Sequence, residues 1–147
     1  MIDHRHIGHT MPSFTVTVEP GRLRFFAKAT GQTDPVYLDD AAARSAGHPG
    51  LPVPPTFLFC LEMESPDPAA LRNLLGLDYR KLLHGEQGFH YHAMAYAGDQ
   101  LTFAQRIDDI YAKKDGALEF VVRQTRVTNQ QATHVADLRT VTVMRHG

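Results

Sequence analysis

The sequence predicts an α+β domain in which an antiparallel sheet of about five strands surrounds a central apolar helix. Residues 53–63 contain a proline pair followed by a nearly unbroken apolar run, which is typical of a helix buried on most sides. The last third of the chain is instead rich in β-branched and aromatic residues and is divided by turn residues. Consecutive strands joined by short turns form an antiparallel meander, and such a sheet could wrap the apolar helix.

The elements before the core helix are indicated by alternation, turn residues and capping residues. Residues 14–18 alternate and are β-branched, which predicts a short strand. Residues 20–31 begin with proline, continue with helical spacing and end with glycine, which predicts a helix. Asp34 precedes a proline and therefore favours a turn. Asp39 can cap a short helix over residues 40–46.

The core helix and the sheet occupy the rest of the chain. Pro55 suits the first turn of the core helix, where its missing N–H would have no partner. The apolar run is too short to cross a bilayer, which takes roughly 20 residues. A second, amphipathic helix is predicted after it, over residues 69–77. The predicted strands of the meander are residues 87–96, 100–113, 117–128 and 133–145.

Length and composition indicate a single domain over residues 1–147 with a cytoplasmic location. The net charge is −1 and the basic residues are scattered, which argues against a nucleic-acid or membrane partner. Cys60 is the only cysteine and the N-terminus lacks an apolar signal segment, both as expected in a reducing compartment. Residues 1–12 are polar and histidine-rich, and we expect them to be flexible rather than to bind a metal through their histidines.

Four motifs in order give the chain its family resemblance, which runs from about Val16 to Val143. The motifs are Phe26-Ala-Lys-Ala-Thr-Gly-Gln-Thr-Asp-Pro-Val-Tyr37, then Asp40-Ala-Ala-Ala43, then Val53-Pro-Pro-Thr-Phe57, and finally Leu83-His-Gly-Glu-Gln-Gly-Phe89 with Tyr91-His92 and Ala97-Gly-Asp-Gln-Leu-Thr102. With these motifs the chain resembles the MaoC-like dehydratases, and specifically their N-terminal, fatty-acid-synthase-type dehydratase domain.

The resemblance implies a hot-dog fold, usually dimeric, that acts on acyl thioesters. The reaction it implies is reversible hydration of a trans-2-enoyl thioester to the (R)-3-hydroxyacyl thioester. Coenzyme A or acyl carrier protein would carry the acyl group, and no further cofactor is implied. The partner would be a second copy of the chain in a homodimer, or another hot-dog chain in a heterodimer.

The chain departs from the family at the two catalytic positions. Active members have an Asp and, five positions later, a His, which activate water at C3 and move the proton at C2. Those positions carry Gln32 and Tyr37 in this sequence. Asp34 could act as a displaced carboxylate or serve only as a turn residue. His84 could supply an imidazole or simply bond to a loop. The candidate catalytic residues are therefore Asp34, Tyr37 and His84.

The substrate-binding candidates surround the start of the core helix. In the family, backbone N–H groups there hold the thioester carbonyl oxygen, and a helix N-terminus favours the negative charge that develops on it. Thr56 and Phe57 would provide these groups, or they could be ordinary capping and core residues. The substrate-binding candidates are Gln32, His48, Pro55, Thr56, Phe57 and Gly85.

A metal centre is not predicted from the sequence. His90 and His92 are two residues apart on a predicted strand and share a face, but no third ligand stands at a recognisable spacing.

The functional hypotheses are of three kinds. The first is an enoyl-thioester hydratase or dehydratase. The second is a non-catalytic, acyl-binding hot-dog subunit that pairs with an active dehydratase chain, which the Gln32 and Tyr37 substitutions favour. A weaker alternative is a hot-dog thioesterase, which would require a carboxylate from Asp34 or Glu62.

Overall fold

Five strands form one antiparallel sheet in the order β1-β3-β4-β5-β2. The computed structural model describes residues 1–146. The strands are β1 (Phe14–Thr17), β2 (Leu82–Tyr91), β3 (Gln100–Lys113), β4 (Leu118–Thr128) and β5 (His134–Arg145). The helices are α1 (Pro20–Ala29), α2 (Asp40–Ser45), α3 (Phe57–Glu62) and α4 (Ala70–Leu74), with single 3-10 turns at His4–His6, Pro35–Tyr37 and Tyr79–Lys81.

The predicted local elements are largely confirmed. β1 alternates between buried and exposed residues, as its sequence predicts. α1 has proline in its first turn. The Asp39 carboxylate accepts a hydrogen bond of 2.8 Å from Ala42 N at the start of α2. No helix among residues 1–146 has the length and apolar character that crossing a membrane requires.

The sheet is not one continuous meander, which corrects the sequence prediction. β3, β4 and β5 are consecutive neighbours, but β2 pairs with β5 at the far edge instead of with β3. β2 also begins at Leu82, five residues before the predicted strand, and ends at Tyr91. The turn before β3 is fixed by main-chain bonds to the end of β1, from Gly98 N to Val18 O and from Val18 N to Asp99 O, each of 2.8 Å. Residues 92–99 therefore cross from the edge strand β2 to β3, which lies beside the opposite edge strand β1.

Helix α3 is shorter and more one-sided than its sequence predicts. It begins at Phe57, so that Pro55 precedes the helix, and its N-cap Thr56 has a left-handed φ of 72°. Phe57, Leu58 and Leu61 join the core cluster that contains the sheet residues Leu101, Phe103 and Leu138. Met63, by contrast, is 63% exposed. Because apolar residues occupy both sides of α3, the sequence alone does not reveal which side is solvated.

The N-terminal segment packs along β3, although we expected residues 1–12 to be flexible. Ile2 is 7% exposed and belongs to the second core cluster. Main-chain bonds join Gly8 N to Ile107 O at 2.8 Å and Ile107 N to His9 O at 2.9 Å. The polar composition of this segment did not predict the contact, because main-chain hydrogen bonds to a strand need no apolar side chains.

Candidate functional site

An apolar cavity of about 310 Å³, here called the Tyr37 pocket, lies beside the start of α3. Its only side chains with polar groups are Tyr37, Tyr91 and His92. The rest of the wall comes from the loop before α3, from α3 itself, from the segment after β2 and from Val135 of β5. An apolar wall with a few polar groups is typical of a small-molecule site. The lining residues are Tyr37, Val53, Pro55, Leu58, Tyr91, His92, Ala93, Met94, Ala95 and Val135.

The two backbone N–H groups predicted to hold the thioester carbonyl already have partners. Thr56 N donates to the Tyr91 hydroxyl at 2.8 Å. Phe57 N donates to Pro54 O at 3.1 Å. The Phe57 side chain is 3% exposed and packs against Phe26, with ring centroids 4.8 Å apart. Thr56 thus offers its N–H to a ligand only after the Tyr91 hydroxyl moves away, and Phe57 is a core residue.

Asp34 and Gln32 form a local turn. Asp34 Oδ1 accepts from Val36 N at 3.0 Å, which caps the 3-10 turn Pro35–Tyr37. Asp34 N donates to Gln32 Oε1 at 3.1 Å. Asp34 is exposed and lies outside the lining of the Tyr37 pocket. Its contacts favour the turn role over that of a displaced catalytic carboxylate.

His84 belongs to a different cavity, an open groove of about 400 Å³ that we call the His84 groove. Its ring packs against Phe59 in an edge-to-face arrangement, with ring centroids 5.2 Å apart. Gly85 follows at an irregularity in the pairing of β2 with β5. A Cβ on Gly85 would lie 2.7 Å from Val143 Cγ2, so this position accommodates only glycine without movement of β5. The groove is lined by Phe26, Thr56, Phe59, Cys60, His84, Gln87 and Phe89.

The structure therefore separates the three catalytic candidates. Tyr37 lines the Tyr37 pocket, His84 lines the His84 groove, and Asp34 lies outside both linings. Of the binding candidates, Pro55 lines the pocket and Thr56 lines the groove. His48 lies outside both linings and its Nδ1 is 3.3 Å from the Tyr96 hydroxyl.

Tyr91 and His92 are site residues that sequence reasoning did not assign. Both belong to a quoted family motif, but they end a strand whose predicted span continued beyond them. The chain leaves β2 at Tyr91, and that turn brings both side chains to the pocket. The three residues that follow, Ala93, Met94 and Ala95, also line the pocket.

Comparison with solved structures shows the hot-dog fold, which confirms the predicted architecture. The chain is similar to the C-terminally truncated HadBC (3R-hydroxyacyl-ACP dehydratase) complex from Mycobacterium tuberculosis, with a TM-score of 0.78 and 23% identity. That alignment covers 94% of this chain and 96% of the other. A MaoC-like dehydratase matches with a TM-score of 0.84 and 23% identity, over 97% of this chain and 43% of that longer one.

Sequence comparison assigns the family. A UPF0336 protein of Saccharopolyspora erythraea is 34% identical over 146 residues, which is 98% of this chain and 92% of the relative. The family profile of the FAS1-like dehydratase domain region matches residues 5–138, which include β1 to β4, the first part of β5, α3 and the lining of the Tyr37 pocket. The chain thus belongs to the FAS1-like dehydratase domain family.

Proposed function

We propose that this chain is an acyl-thioester-binding subunit of a hot-dog dehydratase, and that a second hot-dog chain supplies the catalytic Asp and His. The observation that carries the proposal is the Tyr37 pocket, whose apolar wall is present although the two family catalytic positions hold Gln32 and Tyr37. The Gln32 amide cannot accept a proton from water, and its oxygen already accepts from Asp34 N.

The size and polarity of the pocket suit an acyl chain. Its volume of about 310 Å³ is at the small end of ligand sites. An acyl chain would bury its apolar surface against Val53, Leu58 and Val135, while the carrier group would remain outside. The same wall would serve an acyl group on coenzyme A or on a carrier protein.

A two-chain assembly is supported by the fold comparison and by the free edge of the sheet. HadBC, a structural neighbour, is a complex. β2 is an edge strand that pairs with β5 on one side only, and Leu83 and Tyr91 on it are 50% and 46% exposed. An edge strand with exposed apolar side chains favours pairing with another chain. A second copy of this chain and a different hot-dog chain would use the same edge.

The first experiment is hydration of crotonyl-coenzyme A by the purified chain, followed as loss of enoyl absorbance. We expect no turnover by the chain alone, binding of acyl-coenzyme A by calorimetry, and turnover when a hot-dog chain with an intact Asp/His dyad is added. Turnover by the chain alone would contradict the subunit proposal. Failure to bind any acyl thioester would contradict the pocket assignment.

A matched pair of variants locates the binding site. A93F should weaken acyl-thioester binding, because a phenyl group at Ala93 would fill the Tyr37 pocket. A104F adds the same group at an exposed position of β3 outside the pocket lining and should leave binding unchanged. Equal losses in both variants would show that the effect does not arise from the pocket.

Hydration by the chain alone is a second candidate, favoured by one observation. His92 lines the Tyr37 pocket and its Nε2 is 2.7 Å from Asp137 Oδ2, so that an imidazole and a carboxylate are paired at the pocket wall. Such a pair can move a proton to or from a bound substrate. If the chain alone hydrates crotonyl-coenzyme A, H92Q should abolish turnover and H84A should retain it. Loss of turnover in H84A alone would assign the chemistry to the His84 groove.

A further inference from the structure

Three side chains with metal-binding atoms meet where β2 ends against β5. His92 Nε2 is 2.7 Å from Asp137 Oδ2, and His134 Nε2 is 2.9 Å from Asp137 Oδ1. The two imidazole rings are 4.1 Å apart between centroids. One nitrogen or oxygen from each residue lies within 4.8 Å of those of the other two. The described part of the chain thus brings two imidazoles and one carboxylate to a single point.

The local backbone explains why sequence spacing did not reveal this cluster. Residues three apart in a regular strand point to opposite faces, so His134 and Asp137 would be separated. The pairing of β4 with β5 shifts here, because Val127 faces Ala136 whereas Thr128 faces His134. The extra residue, Val135, turns His134 toward the side of Asp137. Main-chain bonds of 2.8 and 3.1 Å from His92 N and Ala93 N to Val135 O hold the other imidazole beside them.

The Asp137 carboxylate faces the two imidazoles, one with each of its oxygens. Arg126 is the direct cross-strand neighbour of Asp137 on β4, yet the ion-pair contacts of this carboxylate within residues 1–146 are with the two histidines. The three side chains are 26–38% exposed, so that an ion and a water molecule can reach them.

We propose that His92, His134 and Asp137 form a binding site for a divalent transition metal of the zinc type. Two imidazole nitrogens and a carboxylate oxygen are common zinc ligands, and water would complete a tetrahedron. Ligand atoms about 2.1 Å from a tetrahedral zinc lie roughly 3.4 Å from one another. The separations of 2.7 and 2.9 Å involve different oxygens of Asp137, and one ligand atom from each of the three residues already lies within 4.8 Å of the other two. The site shares His92 with the lining of the Tyr37 pocket, whereas His134 and Asp137 lie outside that lining, so zinc binding does not depend on the proposed acyl-binding role.

The test is calorimetric titration of ZnCl2 into tag-free protein in which His4, His6 and His9 are replaced by alanine, since those histidines could bind zinc independently. We expect one zinc ion per chain. D137N and H134A should each weaken binding by about 100-fold or more, because each removes a direct ligand. Co²⁺ should give visible d–d absorption in the parent protein and lose it in D137N.

H90A is the matched control. His90 stacks on His92 with ring centroids 4.5 Å apart but is not one of the three ligands. H90A should therefore keep the zinc affinity of the parent. Loss of affinity in H90A with retention in D137N would show a simple pair of strand histidines and overturn the proposal. The proposal would also be overturned if the parent protein did not bind zinc, or if H134A bound zinc as tightly as the parent. Thermal unfolding of each variant confirms that it is folded, as expected for substitutions at partly exposed side chains.

Discussion

Glu62 of the central helix accepts a hydrogen bond of 2.5 Å from the Thr125 hydroxyl on β4, although both residues are buried in the core. The same carboxylate oxygen accepts from Gln105 Nε2 at 2.9 Å. Its other oxygen is 3.2 Å from an Arg123 nitrogen. A charged group at 3% exposure needs such partners, because an unpaired buried carboxylate is strongly destabilising. The network therefore joins α3 to two strands through polar contacts.

Glu62→Gln should lower the free energy of unfolding by about 2–4 kcal/mol, since it leaves the Arg123 guanidinium without its counter-charge. Urea denaturation measures the loss. Glu64→Gln is the control, because Glu64 pairs with Arg22 on the surface, where the side chains are 38% and 44% exposed. That change should cost less than about 1 kcal/mol. Equal losses in the two variants would contradict a special role for the buried carboxylate.

The thioesterase hypothesis would require a carboxylate from Asp34 or Glu62. Glu62 is unsuited to that role, because its carboxylate is buried and contacts Gln105, Thr125 and Arg123.

Both ends of the described chain meet at Glu119. Its side chain is 2% exposed and accepts from Ile2 N at 2.7 Å and from His146 Nε2 at 2.5 Å. Burial acts to raise the pKa of Glu119, but the bonds from Ile2 and His146 outweigh it, so that the pKa lies below its usual 4.5. The folded pKa is below the unfolded one. The stabilisation is therefore complete above about pH 4.5 and is lost as the pH falls through the folded pKa.

Glu119→Gln should reduce stability at neutral pH by about 1–3 kcal/mol and flatten its fall on acidification. Urea midpoints measured from neutral pH to about pH 3 report both effects. Glu86→Gln serves as control, because Glu86 is 62% exposed in its pair with Arg139 and should keep the parental slope. A parental slope in Glu119→Gln would show that the acid sensitivity arises elsewhere.

Two glycines of β2, Gly85 and Gly88, differ in the space that is available for a Cβ atom. A Cβ at Gly85 would lie 2.7 Å from Val143 Cγ2 and 3.2 Å from Val141 O, whereas at Gly88 the nearest atom is 3.6 Å away. Valine is stiff about its first side-chain torsion and cannot easily withdraw its methyl group. Gly85→Ala should therefore cost about 1–3 kcal/mol, and Gly88→Ala should cost less than about 1 kcal/mol. Thermal unfolding ranks them, and the reverse order would contradict this packing.

The sequence predicted the fold far better than the site. Proline, glycine and capping aspartates act locally, so α1, α2 and the three strands β3, β4 and β5 appear close to their predicted bounds. The position of β2 depends instead on a long-range pairing with β5, which no local pattern encodes. The sequence also did not reveal which face of β4 is buried, because that face carries Glu119, Arg123 and Thr125 as well as apolar residues.

The site depends on where chain segments cross, and this explains what the sequence missed. Tyr37 and Pro55 line one pocket. Asp34 and His84 are directed elsewhere by a local cap and by the irregularity beside Gly85. The partners of His92 come from β5, more than forty residues away, and require the shifted pairing at Val135. Rules of residue spacing describe single helices and strands and do not predict contacts between distant segments of the chain.

The Tyr91 hydroxyl accepts the hydrogen bond of Thr56 N–H, the group that would hold a thioester carbonyl. Removal of this hydroxyl should therefore change the affinity for acyl-coenzyme A. Tyr91→Phe removes this hydroxyl and frees the N–H, so that acyl-coenzyme A should bind more tightly if the carbonyl uses this group. Calorimetry measures the change. Tyr79→Phe is the control, because Tyr79 is 73% exposed and lies outside both cavities. Weaker binding in Tyr91→Phe would instead show that the hydroxyl contacts the substrate directly.

Restoring the family dyad tests whether the pocket is still positioned for chemistry. Gln32 and Tyr37 are half-buried and flank the exposed turn residue Asp34, and Tyr37 lines the pocket. The double variant Q32D/Y37H should gain crotonyl-coenzyme A hydration that the parent lacks, because a carboxylate and an imidazole could then activate water beside the acyl chain. Each single variant should remain inactive, since the two groups act together. If the double variant binds acyl-coenzyme A but stays inactive, positions 32 and 37 are not placed for hydration of the bound acyl group, which would contradict this prediction.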